Sequence, residues 1–263
     1  MLAEAGTSLL LGATVGVLAG LLGVGGGLII VPVLATLFIA QDIDSQIVMH
    51  LALGTSLASI VITSISSVIS HHKKHAVVWP QVFKLSFGIL LGAWCGGLLA
   101  GQLSSELLKP IFATFELLVA AYMLFGNKPS ARQTAPSQLN FNISGGLIGF
   151  VSSIVGIGGG TMSVPWLMWH GSSIHKAIAT SAAIGFPIAL SGSISYLYTG
   201  WQYANLPEYS IGFIYLPALL GIVISSVIFA PFGASLAHRL DVQNLTTSFA
   251  YLLIVLVVYF LHS

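Results

Sequence analysis

The chain has 263 residues, of which 56% are hydrophobic and 6% charged, with a formal net charge of +1. Soluble globular domains carry roughly 25% charged residues, so this composition excludes a soluble fold and describes an integral membrane protein. The small net charge and scattered basic residues exclude a nucleic-acid surface, and the single cysteine, Cys95, excludes an intrachain disulfide or cysteine-rich metal site and is expected as a small packing residue.

Apolar runs fall at 6–22, 28–40, 47–69, 80–101 and 110–126, then at 142–156, 161–170, 177–198, 210–236 and 244–262. That is room for about ten segments. The first four residues carry no basic n-region, so 6–22 reads as a retained span rather than a cleaved leader. The next feature is Gly23-x-Gly25-Gly26-Gly27, with Pro32 following at a fixed distance. It recurs as Gly156-x-Gly158-Gly159-Gly160 with Pro165. A second duplicated element opens the third segment of each half: His50-x-Ala52-x-x-Thr55-Ser56 is matched by His175-x-Ala177-x-x-Thr180-Ser181. The polar stretch 127–141 is the one linker, giving a first repeat at 1–126 and a second at 142–263 within one bundle.

The glycine element decides the topology. A single helix over 6–40 would be about 52 Å long at 1.5 Å per residue, well beyond the ~30 Å hydrocarbon core. Loop charges test the alternative, since Lys and Arg accumulate on the cytoplasmic side. If each glycine element is the tip of a hairpin, Lys73, Lys74, Lys84, Lys128, Arg132, Lys176 and Arg239 share one side and only Lys109 is opposite. If it is not, the bias vanishes. The expected fold is therefore all-α and polytopic, with two inverted repeats of about five helical segments each. Glycine-tipped broken or re-entrant hairpins enter from opposite faces and meet near the midplane, and both termini lie outside the cytoplasmic membrane. Trp79, Trp201, Tyr203 and Tyr209 stand at segment ends as interfacial aromatics do. Pro187, Pro217 and Pro231 lie inside apolar runs, where they would kink helices.

Three glycines ahead of Leu28 or Thr161 place a turn just before a helix, whose first amides have no intrahelical acceptor. Such an end attracts anions, and two facing ends would hold a small oxyanion without buried Lys or Arg. The competing use of these glycines is close helix packing. Thr55, Ser56, Thr180 and Ser181 are hydroxyls that either donate to the oxygens of such an anion or bond their own helix carbonyls. Pro32 and Pro165 are structural, close enough to a helix start to be tolerated. His50, His175 and Glu116 are coupling candidates. Each histidine also suits a helix-end hydrogen bond, and Glu116 has Phe249 near its equivalent place in the second half. The cluster His71, His72, Lys73, Lys74, His75 reads as a cytoplasmic topology signal with some attraction to anionic lipid, or as a collector of anions. No nucleophile set, zinc motif or nucleotide loop is visible, so an enzyme, a cofactor and a resident metal are not expected.

The duplicated G-x-G-G-G-x-x-x-x-P elements, each followed by Ala-x-x-Thr-Ser, resemble the sulfite exporter TauE/SafE family of membrane permeases over essentially the whole chain. The resemblance implies an anion permease, an exporter of sulfite, sulfonates and related small organosulfur anions. It carries over Gly23, Gly25, Gly26, Gly27, Pro32, Thr55, Ser56 and Gly156, Gly158, Gly159, Gly160, Pro165, Thr180, Ser181 as motif positions, with Thr161 beside the second tip. The family is often described with about eight spans, which fits ten segments if the hairpins are re-entrant. A passive anion channel and a permease for a non-sulfur organic anion are the alternatives. The expected partners are a small anion and membrane lipid, with no nucleic acid; proton coupling and a homo-oligomer are both compatible with this reading.

Overall fold

The computed structural model describes Val17 and residues 26–126, 137–237 and 242–262. The rest of the first apolar segment, with its reading as a retained span, lies outside the described residues. So do Gly23 and Gly25, the linker cations Lys128 and Arg132, and Arg239. The described chain forms nine helices and one short hairpin: α1 (Gly27–Ala40), α2 (Val48–Lys73), α3 (Trp79–Ala100), α4 (Ser105–Phe125), α5 (Gln138–Val155), α6 (Gly160–Trp169), α7 (Ile174–Gly200), β1 (Ser210–Ile211), β2 (Ile214–Tyr215), α8 (Leu216–Ala237) and α9 (Val242–His262). Helix α5 begins inside the expected linker, and the run predicted over 210–236 opens as an antiparallel hairpin before turning helical.

Helix limits follow local chemistry. Pro80 opens α3, where a missing N–H costs nothing, and the Ser137 hydroxyl accepts from Asn140 N at 3.3 Å to cap α5. Pro217 is the second residue of α8 rather than an interior breaker, and α7 continues through Pro187. Four helices, α2, α3, α4 and α7, are long and apolar enough to cross a membrane among the described residues. The 14-residue α1 and 10-residue α6 reach only about 21 and 15 Å, and neither crosses a ~30 Å core alone. The chain is an all-α multi-pass membrane protein.

Two helix pairs organise the bundle. Helices α3 and α5 pack backbone to backbone: a methyl group on Gly88, Gly92 or Gly96 would run into the carbonyl oxygens of Asn142, Gly146 and Phe150 respectively. The offset is constant, so these two helices run parallel, with Gly145 and Gly149 closing the seam against Leu85 and Ile89. Cys95, on α3, is exposed, and so is not the packing residue expected. Helices α2 and α7 run antiparallel, because Gly54 lies against Tyr196 while Leu57, further along, lies against Gly192. These two helices carry the duplicated His-x-Ala-x-x-Thr-Ser elements, at His50–Ser56 and His175–Ser181.

Candidate functional site

The second glycine element is resolved completely. Helix α5 ends at Val155, Gly156 turns into the left-handed region at φ 70°, and Ile157 N donates back to Ser152 O at 2.9 Å. Gly159 is again left-handed, φ 74° and ψ −3°, and caps α6. The first element repeats this last step with Gly26 at φ 73° and ψ −13°. Gly26 O accepts from Ile29 N and Ile30 N, as Gly159 O does from Met162 N and Ser163 N. Only glycine adopts this conformation without strain. The amides of Gly27 and Leu28, and of Gly160 and Thr161, therefore open their helices with no intrahelical acceptor. Pro32 and Pro165 lie inside α1 and α6 and free the carbonyls of Leu28 and Thr161 one turn back.

The two breaks touch. A Cβ on Gly27 would stand 2.7 Å from Gly156 O and 2.9 Å from Ile157 Cα, so the start of α1 rests on the backbone of the other tip. The second break is enclosed further by Leu53 and Ile60 of α2, Val31 of α1, and Gly185 and Ile188 of α7. Residues 156–160 are buried throughout. Ser56 Oγ reaches across from α2 to donate to Gly156 O at 2.8 Å. Ser163 Oγ donates to Gly159 O at 2.9 Å, and Ser181 Oγ stands 2.6 Å from Ser163 Oγ. With the Ser163 proton so engaged, Ser181 is the donor of that pair.

Thr55 and Thr180 do something else, and they do it symmetrically. Thr55 Oγ1 accepts from Tyr215 N at 2.9 Å, and Thr180 Oγ1 accepts from Val78 N at 3.0 Å. Tyr215 immediately precedes α8 and Val78 immediately precedes α3. Each threonine thus supplies the acceptor for the entrance of a helix distant in sequence, and keeps its own proton available. His50 is buried as a brace: Nε2 is 3.2 Å from Ala100 O and 3.0 Å from Leu103 O, Nδ1 is 3.3 Å from Ser105 Oγ, and the ring stacks on Phe213 at 4.8 Å. His175 is exposed and shares none of this. Glu116 is 0% exposed, in α4 and apart from the named tip residues. The loop cluster is tied to the start of α3 by Trp79 Nε1 donating to His72 Nδ1 at 3.1 Å.

Sequence reasoning missed two residues. Ser152 and Ser153, both 0% exposed in the last turn of α5, have hydroxyls with no hydrogen-bond partner among the described residues, as has Thr161 Oγ1. Ser152 Oγ lies 3.3 Å from where a Cβ on Gly159 would be, beside the cap of α6. Ser153 Oγ faces the gap left by Gly97 and Gly192. The corresponding first-half positions are Ala19 and Gly20, so the duplication that singled out the other residues passed over these. Their signal was position: two hydroxyls one turn before a glycine break.

Short helices broken at depth around unsatisfied amides and hydroxyls, held inside an apolar bundle, are the construction of a membrane permease rather than of a receptor or scaffold. The family model described as sulfite exporter TauE/SafE matches residues 8–260, and the chain belongs to that family. A probable membrane transporter protein of Haemophilus influenzae is 43% identical over 251 residues, covering 95% of each chain. One of Methanocaldococcus jannaschii is 27% identical over 90% of this chain and 88% of its own. Another, YunE of Bacillus subtilis, is 28% identical over 74% of this chain and 80% of its own. No solved structure matches the chain. The protein is a membrane transporter of the TauE/SafE type.

Proposed function

We propose that this protein is a secondary transporter exporting small sulfur-containing anions, such as sulfite or organosulfonates, across the cytoplasmic membrane by alternating access around the two glycine tips. One observation carries the reading: the start of α6 combines free helix-start amides with two unpartnered buried hydroxyls, Ser152 beside its cap and Thr161 in its first turn, with that of Ser153 one residue on from Ser152, and none of the residues named there is charged. An oxyanion accepts hydrogen bonds and offers none, so it satisfies such a set, while the partial positive end of α6 offsets its charge. The enclosure of residues 156–160 supports a carrier caught closed rather than an open pore. The antiparallel pairing of α2 with α7 supports inverted repeats, and with them loop cations inside and both termini outside.

Reconstitution in proteoliposomes tests this. Driven by an imposed proton gradient, labelled sulfite should accumulate against its own gradient, which a passive channel does not allow. Gly26→Leu and Gly159→Leu should each abolish flux while leaving membrane insertion intact, and unchanged flux in both variants overturns the site. A thermal-shift comparison of sulfite, thiosulfate, sulfoacetate and plain carboxylates then ranks the substrates.

A further inference from the structure

Helix α4 buries one stripe and exposes the rest. Leu108, Phe112, Val119 and Ala120 line the buried face, joining an apolar cluster with Phe249, Ala250, Leu253 and Phe260 of α9; Leu107, Leu117, Leu118 and Phe125 point outward. Glu116 stands one turn from Phe112 in the middle of that stripe, fully buried, and neither carboxyl oxygen has a hydrogen-bond partner among the described residues. Packing does not call for a carboxyl there, since an apolar side chain would fill the stripe without leaving polar atoms unmatched. Among the described residues a carboxylate in that place would meet neither a cation nor a hydrogen-bond donor, and such burial disfavours the ionised form.

Every described element packed on α4 gives the same answer. On α4 itself, Glu106 and Tyr122 are exposed and Lys109 is turned to the ring of Phe260, 5.1 Å from its centroid. On α9, Tyr251, Tyr259 and His262 are exposed. On α2, His50 is held by Ala100 O, Leu103 O and Ser105. Helix α5 carries no titratable side chain. The same apolar cluster contains Leu28, Ile30, Val31 and Leu34 of α1, the helix that begins at the first glycine tip, and α9 packs against both α1 and α4.

Resting on the transporter reading above, we propose that Glu116 is the proton carrier of the transport cycle: its carboxyl must hold a proton for α4 and α9 to close as they do here. The closed, protonated bundle carries that proton across with the anion, and the O–H releases it to solvent on the far side; the carboxylate then returns through an arrangement in which α4 and α9 stay parted and water reaches it, and takes the next proton from solvent on the first side. One proton is thereby moved per cycle, and anion flux is tied to the proton gradient.

Two measurements decide it. Dicyclohexylcarbodiimide attacks protonated carboxyls in apolar surroundings, so the purified full-length protein at neutral pH should be modified at Glu116, read by peptide mass spectrometry. No modification there overturns the proposal. In proteoliposomes with an entrapped pH dye, a sulfite gradient should drive proton movement through the wild-type protein. Glu116→Gln, a neutral mimic of the protonated acid, should keep sulfite exchange, lose its pH dependence and lose the proton movement. Sulfite-driven proton movement that persists in the variant, or a monodisperse variant without exchange, overturns the proposal. A wild-type protein with no sulfite flux at all strikes at the transport function proposed above and leaves the carbodiimide result to decide the protonation of Glu116.

Discussion

Hydroxyl groups of two kinds stand near the second glycine break, and the proposed site predicts that they behave differently when removed. Ser56 holds Gly156 O, so Ser56→Ala should lower stability by about 0.5–1.5 kcal/mol in a denaturation series. The hydroxyls of Ser152 and Ser153 have no partner among the described residues. Removing an unsatisfied buried hydroxyl relieves a penalty of about 1–3 kcal/mol, so Ser152→Ala and Ser153→Ala should leave the melting temperature unchanged or raise it. Each should nevertheless weaken sulfite binding by roughly fivefold, a loss of about 1 kcal/mol, measured by titration of the purified protein. Lower stability with unchanged binding would place these serines in the packing and not in the site. The glycines and prolines of the tips were legible beforehand because backbone geometry restricts which residues occupy a left-handed turn or a helix start. The serines were not, since a membrane serine ordinarily bonds its own helix and only coordinates show that these two do not.

At the scale of helices, the two seams that organise the bundle differ in what the sequence disclosed. Segment limits were readable from hydropathy, and α2, α3, α4 and α7 begin and end within a few residues of the expected runs. The α3–α5 seam was not, because contact between distant helices leaves no periodic trace beyond small residues, which membrane helices carry for many reasons. Gly92→Ala should therefore be costly although it adds one carbon: the methyl meets the Gly146 carbonyl, backbone that cannot turn aside, and about 1–3 kcal/mol should be lost on unfolding. The α2–α7 pair was half legible. Repetition marked Thr55 and Thr180 but suggested a substrate contact, whereas the structure gives each a backbone N–H of the opposite half. Thr180→Val should strand Val78 N and cost about 1–3 kcal/mol, and Thr55→Val should match it at Tyr215 N. Thr→Ser at either place should restore most of that stability.

For the whole molecule the antiparallel arrangement of corresponding helices becomes a statement about sides. Cys95 is exposed and must first be replaced, for example by Cys95→Ser. Single cysteines at Asp42 and Lys73 should then react with impermeant maleimide from opposite faces of the membrane, and those at Asp42 and Ser172 likewise. Same-side labelling of the second pair would remove the inverted repeat. The crossed threonine bonds bear on assembly as well as on topology. Thr55 serves the entrance of α8 and Thr180 that of α3. Made apart, residues 1–126 would strand Val78 N and residues 137–263 would strand Tyr215 N, so the two stretches complete their hydrogen bonding only when they fold against each other.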